Sequence, residues 1–150
     1  VFDGNSFALN DDGSICLSCK SFEHDISIIN FRKDKKWIGK GDIIKTSTKY
    51  ESLYKALVLG LRDYVKNNKF PGVILGMSGG IDSALVASLA VDALGPQNVH
   101  AVMMPSPYTS NESLNDAKEA LNFLDVEYNE LKIEDAKLNE IALFLCLGII

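Results

Sequence analysis

Between a short apolar run, Val73-Ile74-Leu75, and a stretch rich in Ala and Leu, the chain carries Gly76-Met77-Ser78-Gly79-Gly80-Ile81-Asp82-Ser83. A glycine-rich turn that leads a buried strand into a helix presents backbone N–H groups with no intrahelical acceptor, at the positive end of the helix dipole. Phosphate is the natural occupant of such a place. Gly79 and Gly80 lack a Cβ, so the backbone there can take unusual dihedrals and approach phosphate oxygens, while Ser78 and Ser83 add hydroxyl donors. The lysine of G-x-x-x-x-G-K-[ST] and the glycine spacing of G-x-G-x-x-G are both missing, so the loop is neither of those. Asp82 stands where a cation would be useful. A carboxylate beside phosphate needs a divalent ion between them, which makes Asp82 the expected ligand of a Mg²⁺. The plainer alternative is a flexible turn in which Ser78 or Asp82 caps a helix. Capping alone leaves two glycines, two hydroxyls and an acid at one junction without a reason.

The surrounding elements must hold that loop at a strand end. A helix is expected from about Tyr50 to Asn67, where Leu53, Leu57, Leu61 and Val65 share a face and Thr48 with Glu51 forms a capping box. Asn67 to Gly72 breaks it, and Val73 to Leu75 reads as a buried parallel strand. Ala84 to Leu94 is helical by composition and stops at Gly95-Pro96, before a strand over Val99 to Met104. A further helix spans about Ser113 to Leu124, then a strand Val126 to Ile133. This alternation predicts an α/β fold, a parallel, doubly wound sheet with helices on both faces. Three strands are few for that architecture, which points to a truncated domain. A last helix is expected from about Asp135, apolar on most sides from Ile141. Its longest apolar run, Ile141 to Ile150, is about half of the roughly 20 residues that span a bilayer, so it reads as core.

Upstream, Phe7 to Asn10 and Ile15 to Leu17 flank Asp11-Asp12-Gly13-Ser14 and predict a β-hairpin. Asn30 to Thr48, rich in Lys and without sustained periodicity, reads as a linker or surface crossing. A hydrophobic fraction of 47% against 23% charged residues excludes disordered and membrane-embedded classes. A net charge of −5 argues against general nucleic-acid binding, since only Arg32 to Lys40 is locally basic. Cys16, Cys19 and Cys146 make an odd set with no secretion signal, which favours reduced thiols in the cytoplasm. Cys16-x-x-Cys19 lacks the second pair of a zinc site and the strand-to-helix setting of a redox motif, so two hairpin cysteines are the simpler reading. His24 and His100 stand alone and read as structural. The chain opens on Val1, which fits a piece of a longer polypeptide.

Ser78-Gly79-Gly80-Ile81-Asp82-Ser83 resembles the SGGxDS loop of the ATP pyrophosphatases, which include NAD, GMP, asparagine and argininosuccinate synthetases. Met103 to Ser110, with Ser113 and Asp116-Ala117, is similar to the segment after the second strand in NAD synthetases. Tyr54 to Val65 resembles the helix before the loop in their glutamine-dependent branch, and Val1 to Phe7 with the hairpin resembles the end of that branch's nitrilase-type glutaminase domain. The resemblance covers about Val1 to Leu131 and implies three parts. Residues 1–32 would end the glutaminase domain, 33–48 would be a linker, and 49–150 would begin the synthetase domain, Rossmann-like and of the adenine-nucleotide α-hydrolase kind.

The implied activity is that of a ligase. ATP adenylates nicotinic acid adenine dinucleotide with release of pyrophosphate, and ammonia from glutamine then displaces AMP to give NAD. The implied ATP contacts are Gly76, Met77, Ser78, Gly79, Gly80, Ile81, Asp82, Ser83 and Met103, with Mg²⁺ on Asp82 and no catalytic side chain in this segment. Met103 and Met104 have ordinary core packing as their alternative, and Tyr108, Thr109, Ser110 and Ser113 either meet phosphate or cap the next helix. The glutaminase triad would lie upstream of Val1; neither Cys16 nor Cys19 matches its nucleophile. A homo-oligomer in the full-length protein is also implied, with neither nucleic acid nor membrane as partner. Two rivals stay open: a GMP-type synthetase with an equivalent loop, and an ATP-binding module without turnover.

Overall fold

A computed structural model describes residues 3–33, 37–45 and 47–132. The expected last helix and Ile141 to Ile150 lie outside the described residues. The chain divides into two compact units, 1–59 and 60–150.

In the first unit, β1 (Phe7–Leu9) pairs antiparallel with β2 (Ile15–Ser18). The turn between them follows from its residues: Gly13 takes φ +81°, and the Asp12 carboxylate accepts from the Ser14 N–H at 2.9 Å and from its hydroxyl at 2.6 Å. The stretch from Asn30 to Thr48 is more than a surface crossing, because β3 (Asn30–Lys33) and β4 (Trp37–Lys40) form an antiparallel pair. The cause is non-local. Gly39 lies so close to β2 that a Cβ on it would come within 2.7 Å of the Cys16 sulfur, and its N–H donates to the Asn10 side-chain oxygen at 2.8 Å. Cys16 is buried inside β2, while Cys19 is half-buried just past it, both as free thiols. Helix α1 (Lys49–Asn67) opens here on the expected capping box. Thr48 N–H reaches the Glu51 carboxylate and Glu51 N–H the Thr48 hydroxyl. The Lys55 ammonium and the Thr48 N–H hold that carboxyl below its ordinary pKa.

The second unit contains the parallel sheet. β5 (Val73–Gly76), β6 (Val99–Met103) and β7 (Glu127–Glu130) lie in that order, with Val73 opposite Val99 and Val102 opposite Asn129. α2 (Ile81–Leu94) joins the first two strands and α3 (Asn111–Phe123) the last two. β6 alternates strictly: Val99, Ala101 and Met103 are buried against Ala90 of α2 and Ala117 and Leu121 of α3. Both crossover helices therefore cover one face. Among the described residues the other face carries His100, bonded to Asn129 at 2.7 Å, and a half-exposed Ile74. Met103 and Leu121 are the largest fully buried side chains, each contributing about 1.5–3 kcal/mol of transfer free energy. Among the described residues the last strand ends at Glu130, with the Leu131 N–H continuing the ladder to the Met103 carbonyl at 2.8 Å, and Ile133 of the expected span lies outside them.

Candidate nucleotide-phosphate site

The loop starts where β5 stops. Met77 still donates to the Val102 carbonyl at 3.0 Å, so the sheet sets the direction in which the chain leaves it. Helix α2 then begins at Ile81, three residues before the Ala84 start that composition predicts, because Ile81, Asp82 and Ser83 already form the first turn. Ala84 makes the first intrahelical bond, to the Gly80 carbonyl at 3.2 Å. The N–H groups of Ile81, Asp82 and Ser83 therefore point out of the helix without intrahelical acceptors.

Gly80 is the N-cap, with no side-chain cap bond. The other helices differ: Ser110 accepts from the Ser113 N–H to cap α3, and Thr48 caps α1. Ser78 and Asp82 do not cap α2, so the plainer reading of the loop loses its capping residues. The hydroxyls are occupied with each other instead. Ser83 Oγ donates to the Gly80 carbonyl at 2.9 Å and accepts from the Ser78 N–H at 3.3 Å. With its single proton so used, its 3.2 Å contact to Ser78 Oγ makes the Ser78 hydroxyl the donor. Ser78 Oγ in turn accepts from the Gly80 N–H at 3.3 Å. Ser83 is saturated and holds the loop shut at its base, whereas Ser78 keeps one lone pair.

The two glycines separate. Gly79 takes φ +83°, and a Cβ there would fall on the Ser113 carbonyl oxygen. Its bareness serves packing of the loop on α3. Gly80 has an ordinary extended backbone, φ −81° and ψ 157°, and a Cβ on it would meet only the Ser78 hydroxyl, 3.5 Å away. Among the described residues no contact requires a glycine at 80. Gly76 is similarly open, with only the Met104 methyl 3.5 Å from where its Cβ would be.

Asp82 is exposed at the second position of α2, its carboxylate without a hydrogen bond or ion pair among the described residues. No trio of His, Cys, Asp or Glu gathers among those residues. One carboxylate suits Mg²⁺, which keeps several waters and completes its shell with phosphate oxygens. Met103 is a different matter. Its side chain is fully buried against the helices, so position 103 offers a ligand only backbone, while Met104, half-exposed over Gly76, is the methionine at the strand end. Tyr108 is 97% exposed, and Ser110 and Ser113 act in the cap of α3. Sequence reasoning named these hydroxyls without seeing that Ser113 walls the glycine loop.

Two hollows among the described residues lie elsewhere. One, of about 360 Å³, is in the first unit between Lys20, Lys45 and Lys55. The other, of about 510 Å³, is at the amino edge of the parallel sheet. The carboxyl edge carries the N-termini of α2 and α3.

Parallel strands, one-directional crossovers and a glycine loop feeding a bare helix N-terminus define an α/β domain of the Rossmann-like adenine-nucleotide α-hydrolase kind. A family model described as NAD synthase matches residues 53–142, and the chain belongs to that family. It is 44% identical over 136 residues to a glutamine-dependent NAD(+) synthetase of Rhodobacter capsulatus, across 89% of this chain and 25% of that protein. The glutamine-dependent NAD+ synthetase of Acinetobacter baumannii in complex with ADP superposes with a TM-score of 0.86 at 41% identity, over 99% of this chain and 28% of that one. An NH3-dependent NAD synthetase of Campylobacter jejuni matches with a TM-score of 0.54 at 33% identity, covering 67% of this chain and 42% of that one. The chain spans about a quarter of the length of the curated relatives it matches. Among the described residues no helix is long and apolar enough to cross a membrane.

Proposed function

We propose that this chain supplies the ATP-phosphate loop of a glutamine-dependent NAD synthetase, a ligase that adenylates nicotinic acid adenine dinucleotide, releases pyrophosphate and lets glutamine-derived ammonia displace AMP. The observation that carries the reading is the start of α2, uncapped by any side chain and preceded by a glycine that no contact among the described residues requires. The donors offered to phosphate are the N–H groups of Ile81, Asp82 and Ser83, while the Ser78 and Ser83 hydroxyl protons are spent inside the loop and brace it with Gly76, Met77, Gly79 and Gly80. Asp82 would hold Mg²⁺, which supplies charge neutralisation on the phosphates. The attacking group is the carboxylate of the acceptor, so the residues here act by position and by stabilising charge on departing pyrophosphate.

In the same reading, residues 1–32 close a nitrilase-type domain and 49–150 open the synthetase domain, while the connecting 33–48 carries β4 packed on β2. The ADP named with the Acinetobacter baumannii relative supports an adenine nucleotide here. Cytoplasmic placement and a homo-oligomer in the full-length protein belong to the proposal too. The GMP-type alternative is disfavoured by the NAD synthase match. The test is pyrophosphate release by the full-length protein. Turnover with nicotinic acid adenine dinucleotide that falls roughly 100-fold in Asp82→Ala supports the reading; turnover with xanthylate, or unchanged turnover in Asp82→Ala, overturns it.

A further inference from the structure

The glycine loop is held from behind by an element outside its own motif. Ser113 lies in the first turn of α3, and its carbonyl occupies the space that a side chain on Gly79 would fill. The place of that carbonyl is set by the turn, and the turn is set by its cap. Ser110 Oγ accepts the Ser113 N–H at 3.1 Å and donates to the Ser113 hydroxyl at 3.0 Å, while the Ser110 carbonyl takes the Leu114 N–H at 3.2 Å. Three bonds from one residue thus fix the surface on which Gly79 rests. Gly79 sits in the left-handed region, φ +83°, immediately before the N-cap of α2. A small change in the wall re-aims the N–H groups of α2.

We propose that Ser110 is a positioning residue for the phosphate loop, acting through the Ser113 carbonyl on Gly79 rather than by touching nucleotide. The inference rests on the reading that the loop holds ATP phosphates. Ordinary helix capping predicts that losing this hydroxyl lowers stability and nothing else. Positioning predicts that it also weakens ATP.

The experiment uses the full-length protein and four variants, with thermal melts and with KM for ATP, KM for the acceptor and kcat from pyrophosphate release. Ser110→Ala is expected to raise KM for ATP roughly three- to tenfold, with KM for the acceptor unchanged. Thr48→Ala removes the corresponding cap of α1 and should lower the melt by a similar amount with KM for ATP unchanged. Ser110→Asn restores a cap through an amide oxygen and should bring KM for ATP back. The proposal is overturned if Ser110→Ala only lowers the melt, if Thr48→Ala raises KM for ATP equally, or if Ser110→Asn caps without rescue, which would make Ser110 a direct contact. Gly80→Ala in the same assay separates the two levels of the argument. Unchanged KM for ATP there would sink the phosphate-loop reading itself, whatever Ser110 does.

Discussion

The parallel sheet has two edges, and they use glycine in opposite ways. At the amino edge Gly72 is filled in by protein, since a Cβ there would strike the Asn98 carbonyl oxygen, and Gly95, at φ +83°, lies against the Gln97 side chain. At the carboxyl edge Gly79 is likewise filled, by Ser113, but a Cβ on Gly80 or Gly76 would make only an ordinary contact, 3.5 Å from the Ser78 hydroxyl or the Met104 methyl. The larger hollow belongs to the amino edge, lined by Pro71, Pro96 and Asn98 among others. That edge receives the C-terminal end of α2, whose partial negative charge repels anions, whereas the carboxyl edge presents the N-terminal ends of α2 and α3. Volume therefore does not mark the site. The proposed site is marked instead by a glycine that no contact among the described residues requires, at an uncapped helix start.

The sharpest way to break this contrast is Gly79→Ala, which forces both a left-handed alanine and a collision with α3. It should cost on the order of 1–3 kcal/mol of stability and also abolish detectable ATP turnover, seen as a lowered melt together with lost pyrophosphate release. Asp82→Ala comes next: pyrophosphate release should fall roughly 100-fold, while the melt stays within about 0.5 kcal/mol because the side chain is exposed and unpaired. On the amino edge, Gly72→Ala should lower the melt by about 1–3 kcal/mol with KM for ATP unaltered. The smallest expected effect is that of Arg62→Ala. Its Nε and Nη2 donate to the Ala93 and Asp92 carbonyls at 3.0 and 3.1 Å, at the far end of α2. Losing them should cost about 1 kcal/mol of stability in a denaturant melt and leave nucleotide affinity alone.

Much of this was legible in the sequence because it is local. The Thr48 and Glu51 box and the strand-loop-helix order around Gly76 to Ser83 follow from neighbours within one or two turns, whereas of the expected stripe Leu61 and Val65 are covered and Leu53 and Leu57 stay half-exposed. What escaped depends on distant contacts. β3 and β4 were hidden in a lysine-rich stretch because Gly39 packs on Cys16 and bonds Asn10, far away in sequence. The start of α2 was placed late because glycines and serines lower helix propensity, and only the Ala84 bond to Gly80 fixes the first turn. Met103 and Met104 look alike in sequence; strand alternation sends one into the core and the other over Gly76. The roles of Gly79 and Gly80 were indistinguishable until Ser113 was seen behind only one of them.

The central claim is that the open glycine receives the phosphates of ATP. Calorimetric titration of MgATP into full-length Gly80→Ala and Gly72→Ala, each with its melt, tests it most directly. The account predicts that Gly80→Ala melts like the parent and binds MgATP at least about tenfold more weakly, while Gly72→Ala melts lower and binds normally. Parental affinity in Gly80→Ala on an unchanged melt would contradict it.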